Sequence, residues 1–316
     1  MKKTILYTLI MFSIFSCFRK KTPSINVETE LERMFPGQFQ VLNSNLKMLD
    51  VMAQYKGEKQ AVIGDKADPE VQFLLDWHKG ESVGFDSATV QAAHERSKAE
   101  ISAARALYKL LEDKGLERFS VGVMEQTAYI KVFTEPVLAI REQTLIKVKS
   151  ALDARQEQPQ TSIFIEMMEP AAFQTELQQV IPRAHWKNAM AWDRENKIMS
   201  LDFEWSKSME IPETTRHWEM STDSKRISQY REAAYKEALK WAEKNLPQPY
   251  FMPSNRPVGY ETLKIDGPAV RYGFPFYDQK LPEESSYQDP EPTGYVSGTY
   301  SFDKQVFSGI RRQAEF

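Results

Sequence analysis

The chain has 316 residues, with 41 lysines and arginines against 44 aspartates and glutamates, four histidines and a single cysteine. A formal charge of −3 gives none of the overall basic character that nucleic-acid binders show, so nucleic acid is set aside as a partner. One thiol excludes an internal disulfide, so the fold must be held by its core, and the length suits one large domain or two ordinary ones.

The N-terminus reads Met1-Lys2-Lys3, an apolar run from Ile5 to Phe15, then Ser16 and Cys17. That run is shorter than the roughly 20 residues a helix needs to cross a bilayer. The layout resembles a bacterial lipoprotein signal peptide. Ile14-Phe15-Ser16-Cys17 matches a lipobox, with an aliphatic first position and a small residue before the cysteine, although Phe15 is bulkier than the pattern usually carries. The resemblance covers the leader alone. It implies that residues 1–16 are a signal peptide and that Cys17 is lipidated as the mature N-terminus. Residues 17–26 then form a tether whose Arg19, Lys20 and Lys21 lie against anionic lipid. Phe18 is not the aspartate associated with inner-membrane retention, and the basic residues are unlike the acidic export signals of surface lipoproteins in Bacteroidota. The implied address is an outer-membrane anchor facing the periplasm.

Beyond the tether, Val27 to Phe35 reads as a short helix stopped by Pro36-Gly37. Strands are expected at 38–43, 46–55 and 60–64, the last two joined through Lys56-Gly57-Glu58. Asp86 to Lys114 is the longest helix signal. Asp86 is its N-cap, Gly115 lies just past its end, and Val90, Ala93, Ile101, Ala104, Tyr108 and Leu111 share one stripe. Arg118–Met124 and Thr127–Thr134 form a hairpin, and a helix starts at Pro136, where a missing N–H costs nothing, and runs to Ala154. Thr161–Met168 follows as a strand and Pro170–Val180 as a helix. Ala189–Trp192 is expected to pair with Lys197–Trp205, and a last helix spans Asp223 to Leu246 with Ile227, Tyr230, Ala234, Ala238 and Trp241 inward.

After Leu246 the composition shifts. Residues 247–292 hold nine of the seventeen prolines, which forbids long helices, while thirteen of the thirty-seven aromatics lie between Leu246 and Phe316, which argues against disorder. The segment 247–316 is expected to be extended chain packed on the domain, with short strands near 269–276 and 295–302. The whole order predicts an α+β fold: a mixed or antiparallel sheet made from hairpins and covered by long amphipathic helices. The globular domain spans 27–246, with 27–115 and 116–246 as its alternative subdomains.

Chemistry is sparsely marked. No phosphate loop or Gly-x-Ser-x-Gly elbow is present, and His78, His94, His185 and His217 lack zinc spacing, so no metal and no cofactor is expected. His94, near the apolar stripe of the long helix, reads as a hydrogen-bonded structural histidine. On one strand Asp202 and Glu204 point to the same side, about 7 Å apart by strand geometry, and Glu166 on the neighbouring strand joins them. Such a cluster suits general acid and base work in a periplasmic glycan or peptidoglycan hydrolase, yet the same alternation describes any solvated strand face, which is the preferred reading. Trp77 and Trp186 are candidates for lining a small-ligand pocket, and the remaining tryptophans read as sheet core. The functional expectation is a lipid-anchored envelope protein that binds or scaffolds other envelope proteins, more a binder than an enzyme, with the aromatic tail as its interaction surface.

Overall fold

The computed structural model describes residues 26–46, 58–78, 85–155, 162–173, 179–188, 190–205, 218–221, 224–247, 250–251, 263–266, 269–279 and 291–316. The leader, Cys17 and the tether up to Ile25 lie outside them, as do most of the expected strand 46–55 and its turn at Lys56-Gly57. The chain is mixed α and β and divides into two compact units, residues 1–98 and 99–316.

The first unit holds α1 (Val27–Met34) and a three-stranded antiparallel sheet of β1 (Phe39–Leu46), β2 (Glu58–Asp65) and β3 (Gln72–His78) in that order. The Asn26 side chain caps α1 by accepting from the Thr29 amide at 3.2 Å. Val27 and Leu31 of α1 close over Phe39, Ile63, Phe73 and Leu75 of the sheet, with Val90 from the first turn of the next helix. His94 completes this core. Its Nε2 meets Asp65 Oδ2 at 2.7 Å, and its ring lies edge-on to Phe39 at 5.0 Å, so it is a structural histidine.

That helix, α2 (Ser87–Asp113), starts at Asp86, whose carboxylate accepts from the Thr89 amide at 2.7 Å, a bond that holds the Asp86 carboxyl below its usual range. It ends on Gly115 at φ +74°, with Gly115 N–H donating to Glu112 O and Leu116 N–H to Leu111 O, a Schellman pair. The division between the units falls inside α2.

The second unit is built on a five-stranded sheet in the order β4 (Phe119–Met124), β5 (Thr127–Phe133), β6 (Ser162–Met168), β7 (Lys197–Glu204) and β8 (Glu219–Met220). Only β5 and β6 are parallel, joined across α3 (Leu138–Asp153); the other pairs are antiparallel. Register makes one face wholly apolar. Val121, Ile130, Ile165 and Leu201 stand in one transverse row and are completely buried. Tyr108 of α2 stacks on Phe119 at 4.5 Å, and Ile101, Ala104, Leu107 and Leu111 of the same helix are buried.

Two short helices, α4 (Arg183–Asn188) and α5 (Met190–Asn196), lead into β7. This corrects two expectations. Residues 190–192, expected as strand, belong with the expected turn 193–196 to the helix α5, because β7 draws its ladder partners from β6 and β8 and leaves them no strand to pair with. Only Pro170–Ala172 of the expected helix 170–180 is helical, as a single 3₁₀ turn; residues 174–178 lie outside the described set. By Val180 the chain is extended, because Val121 of β4 donates to Gln179 O and accepts from the Ile181 amide.

α6 (Lys225–Asn245) is capped by Ser224 and covers a second antiparallel sheet. Its order is β10 (Leu263–Asp266), β11 (Ala269–Tyr277), β12 (Gly294–Ser301) and β13 (Val306–Gln313), with β9 (Tyr250–Phe251) also pairing β11. Tyr230 stacks on Tyr300 at 4.8 Å, Tyr235 meets Phe274 edge-on, and the Phe307 ring lies over Gly298, where a Cβ would sit 2.4 Å from it. The expected extended wrap is thus, in its described part, a sheet sharing a core with α6. Its aromatics Tyr272, Phe274, Phe276, Tyr300 and Phe307 are buried rather than presented to a partner.

Candidate functional site

The reverse face of the central sheet carries polar residues in register. Ser120 of β4 stands opposite Lys131 of β5, Lys131 beside Glu166 of β6, and Glu166 opposite Ser200 of β7. Lys131 is 2% exposed and ion-paired to Asp193 of α5. Its Nζ lies 4.0 Å from Glu166 Oε2, while Lys197 Nζ lies 3.3 Å from Glu166 Oε1. Two cations and two carboxylates cancel at the sheet face. Glu166 Oε2 and Ser120 Oγ are buried without a hydrogen-bond partner among the described residues.

α4 is fixed by Arg183, whose guanidinium holds Glu100 of α2 through Nη2 at 2.5 Å and Nε at 3.2 Å, a fork that raises the Arg183 pKa further. Two residues on, His185 is pushed below the usual imidazole range by burial and by the Lys131 charge, with Asp193 opposing, so it is neutral near pH 7. Beside the cluster Tyr129 and Phe164 stack at 5.6 Å, and burial with the nearby Asp202 and Glu166 charges raises the Tyr129 phenol.

The three carboxylates singled out from sequence separate in role. Glu166 is buried between two lysines, whereas Asp202, opposite Phe164, and Glu204, opposite Ser162, are exposed on the same sheet face. A glycosidase pair needs one carboxyl in a desolvated pocket facing substrate, and this geometry spends the desolvated one on internal ion pairs. Trp77 lies in β3 opposite Lys59 and Trp186 lies in α4, with side chains outside the described set. Trp205 and Trp218 are buried, as a sheet core uses them. Among the described residues no group of three or more His, Cys, Asp or Glu is placed to hold a metal ion. No helix among them is long and apolar enough to cross a membrane.

Two concavities flank α6. One, of about 480 Å³, is lined by Glu169, Glu195, Lys225 and Arg226, whose charges are tied to one another: Arg226 to Glu169 at 3.1 Å and to Glu135 at 2.6 Å, Lys225 to Glu195 at 2.5 Å. The other is a groove of about 630 Å³ between α6 and the start of β13. Ala233, Leu239, Tyr300 and Phe307 line it, with Lys236, Glu237, Lys240 and Glu243 on its α6 side and Gln305 and Val306 on its β13 side. Val306 is 53% exposed.

Sequence reasoning missed Lys131 and this groove. Lys131 had a signal, a lone cation inside the apolar strand Tyr129–Phe133. The groove had none, because it is formed by a helix and a strand roughly sixty residues apart in the chain. No protein-family model matches this chain, and no curated protein matches it.

Proposed function

We propose that the chain is a lipoprotein anchored in the outer membrane through lipid on Cys17, facing the periplasm, where it serves as a binding component of a larger envelope assembly. The α6–β13 groove is its binding surface. The observation that carries this reading is a concavity beside an edge strand, with Ala233, Leu239, Tyr300 and Phe307 among its lining, charged α6 residues around them and the half-exposed Val306 on its β13 side. The hydrolase alternative loses support where Glu166 is taken up by Lys131 and Lys197. The small-ligand alternative rests on Trp77 and Trp186, and nothing on the described side chains strengthens it.

Affinity purification of the full chain from detergent-solubilised envelope tests the reading. A partner that is retained with Asp202→Ala and lost with Val306→Arg supports the groove; the reverse pattern moves the binding face to the central sheet. Release of soluble fragments from isolated peptidoglycan by the purified chain, abolished by Glu166→Gln, would replace the binding reading with the hydrolase.

A further inference from the structure

We infer that β13 takes up an acidic, extended peptide segment of a partner protein by strand addition. The inference rests on the proposed groove and names the chemistry of its occupant. Among the described residues β13 pairs on one side only, with β12, so its outer edge offers unpaired backbone N–H and C=O groups. α6 lies across the face of this sheet, and where it passes the start of β13 it supplies a second wall. An edge strand flanked by a helix is the geometry in which backbone hydrogen bonds give affinity and alternate side chains give specificity.

The two faces of an added strand would meet different surroundings. Phe307, opposite Tyr300, faces α6 and the groove, where Ala233 and Leu239 accept aliphatic side chains. Arg311, opposite Ser297, lies on the reverse face and is exposed. β13 itself carries Arg311 and Arg312 and no carboxylate, while Asp303 and Lys304 offset one another in the turn before it. On the α6 wall Lys236 pairs with Glu232 at 2.9 Å and Lys240 with Glu237 at 2.6 Å, and Glu243 adds one carboxylate, so positive charge at the edge comes from β13 itself. The charge at the edge is therefore positive, and a strand alternating aliphatic residues with carboxylates complements both faces.

A second copy of this chain is the wrong occupant on the same grounds. Antiparallel pairing of two β13 edges would set like charges against one another and would have to accommodate two bulges at Gly309, where residues 309 and 310 oppose Gly298 alone, instead of the single one that a peptide meets. Charge and a bulge are also how sheets guard an edge against aggregation. An edge that is only guarded has no use for a groove and a half-exposed Val306 beside it.

The test uses the full chain in detergent micelles and two fluorescein-labelled peptides about ten residues long, matching a strand, one alternating valine with glutamate and one alternating valine with lysine. The acidic peptide is expected to raise anisotropy saturably and to slow hydrogen exchange of β13 amides. The lysine peptide should bind at least about tenfold more weakly. Arg311→Glu should weaken the acidic peptide by about tenfold and improve the lysine one, and Ala233→Arg, at an exposed helix site, should block both by filling the groove. Equal binding of the two peptides, binding of neither, or indifference to both variants overturns the inference. So does concentration-dependent self-association abolished by Ala233→Arg, which would make the occupant a second copy. If Val306→Arg still releases the envelope partner while peptide charge has no effect, the groove stands and only the acidic-strand inference falls.

Discussion

Replacing Asp193 by asparagine keeps its volume and removes the charge that faces Lys131. Among its described carboxylate partners the Lys131 ammonium, 2% exposed, would then keep Glu166 at 4.0 Å, and Glu166 is already shared with Lys197 at 3.3 Å. Removing one member of a buried pair costs about 3–5 kcal/mol, because the remaining charge cannot regain its water. The Asp193 side chain keeps 14% exposure, so water reaches one edge of the cluster and the expected loss is about 3 kcal/mol, the low end of that range. Urea unfolding of the full chain with Trp77→Phe, followed by tryptophan fluorescence, reads the second unit, which holds the other five tryptophans. Lys131→Met with Asp193→Leu should recover most of the loss, to within about 1 kcal/mol of the native chain, since an apolar pair of similar volume replaces a buried ion pair at little cost. A loss below about 0.5 kcal/mol for Asp193→Asn would mean that the cluster is solvated. A double variant as unstable as the single one would mean that packing, and not charge, is what the site supplies.

His185 is held neutral, its folded pKa below the reference value of 6.5, so the unfolded chain takes up a proton first as the pH falls. Stability should decline as pH drops through about 6.5, and His185→Gln should flatten that slope; the difference between the two chains isolates the histidine from Glu169, whose raised pKa acts in the opposite sense. Gly298→Ala places a Cβ 2.4 Å from the Phe307 ring and should lower stability by about 1–3 kcal/mol, with Phe307→Leu restoring part of it. Truncation after Leu246 should leave α6 without the sheet that covers Tyr230 and Tyr235, and the second unit should then lose its cooperative thermal transition; an unchanged melting curve would refute a shared core. Cys17→Ser should release the protein from the lipid fraction or block its processing, and a variant that stays membrane-bound with its leader uncleaved would favour a spanning anchor.

The sequence by itself determined the elements whose signal is local. The start and stop of α2 follow from an aspartate that caps and a glycine that alone adopts φ +74° without strain, and the β4–β5 hairpin and the stripe of α6 follow from periodicity that any chain position carries with it. What tertiary structure decided is where pairing partners come from. Residues 190–192 are expected to pair with β7, yet they are helical because β7 takes its neighbours from β6 and β8; residues 179 and 180 leave the expected helix because the edge of β4 takes up their backbone. The same holds for the site. Alternation placed Glu166, Asp202 and Glu204 on one face, but only the arrival of Lys131 from β5, Asp193 from α5 and Lys197 from the start of β7 assigned Glu166 to ion pairs and left the other two in solvent. Aromatic richness after Leu246 is visible in composition, whereas whether those rings face a partner or a core depends on α6 lying across them, and a long-range contact of that kind has no local signature.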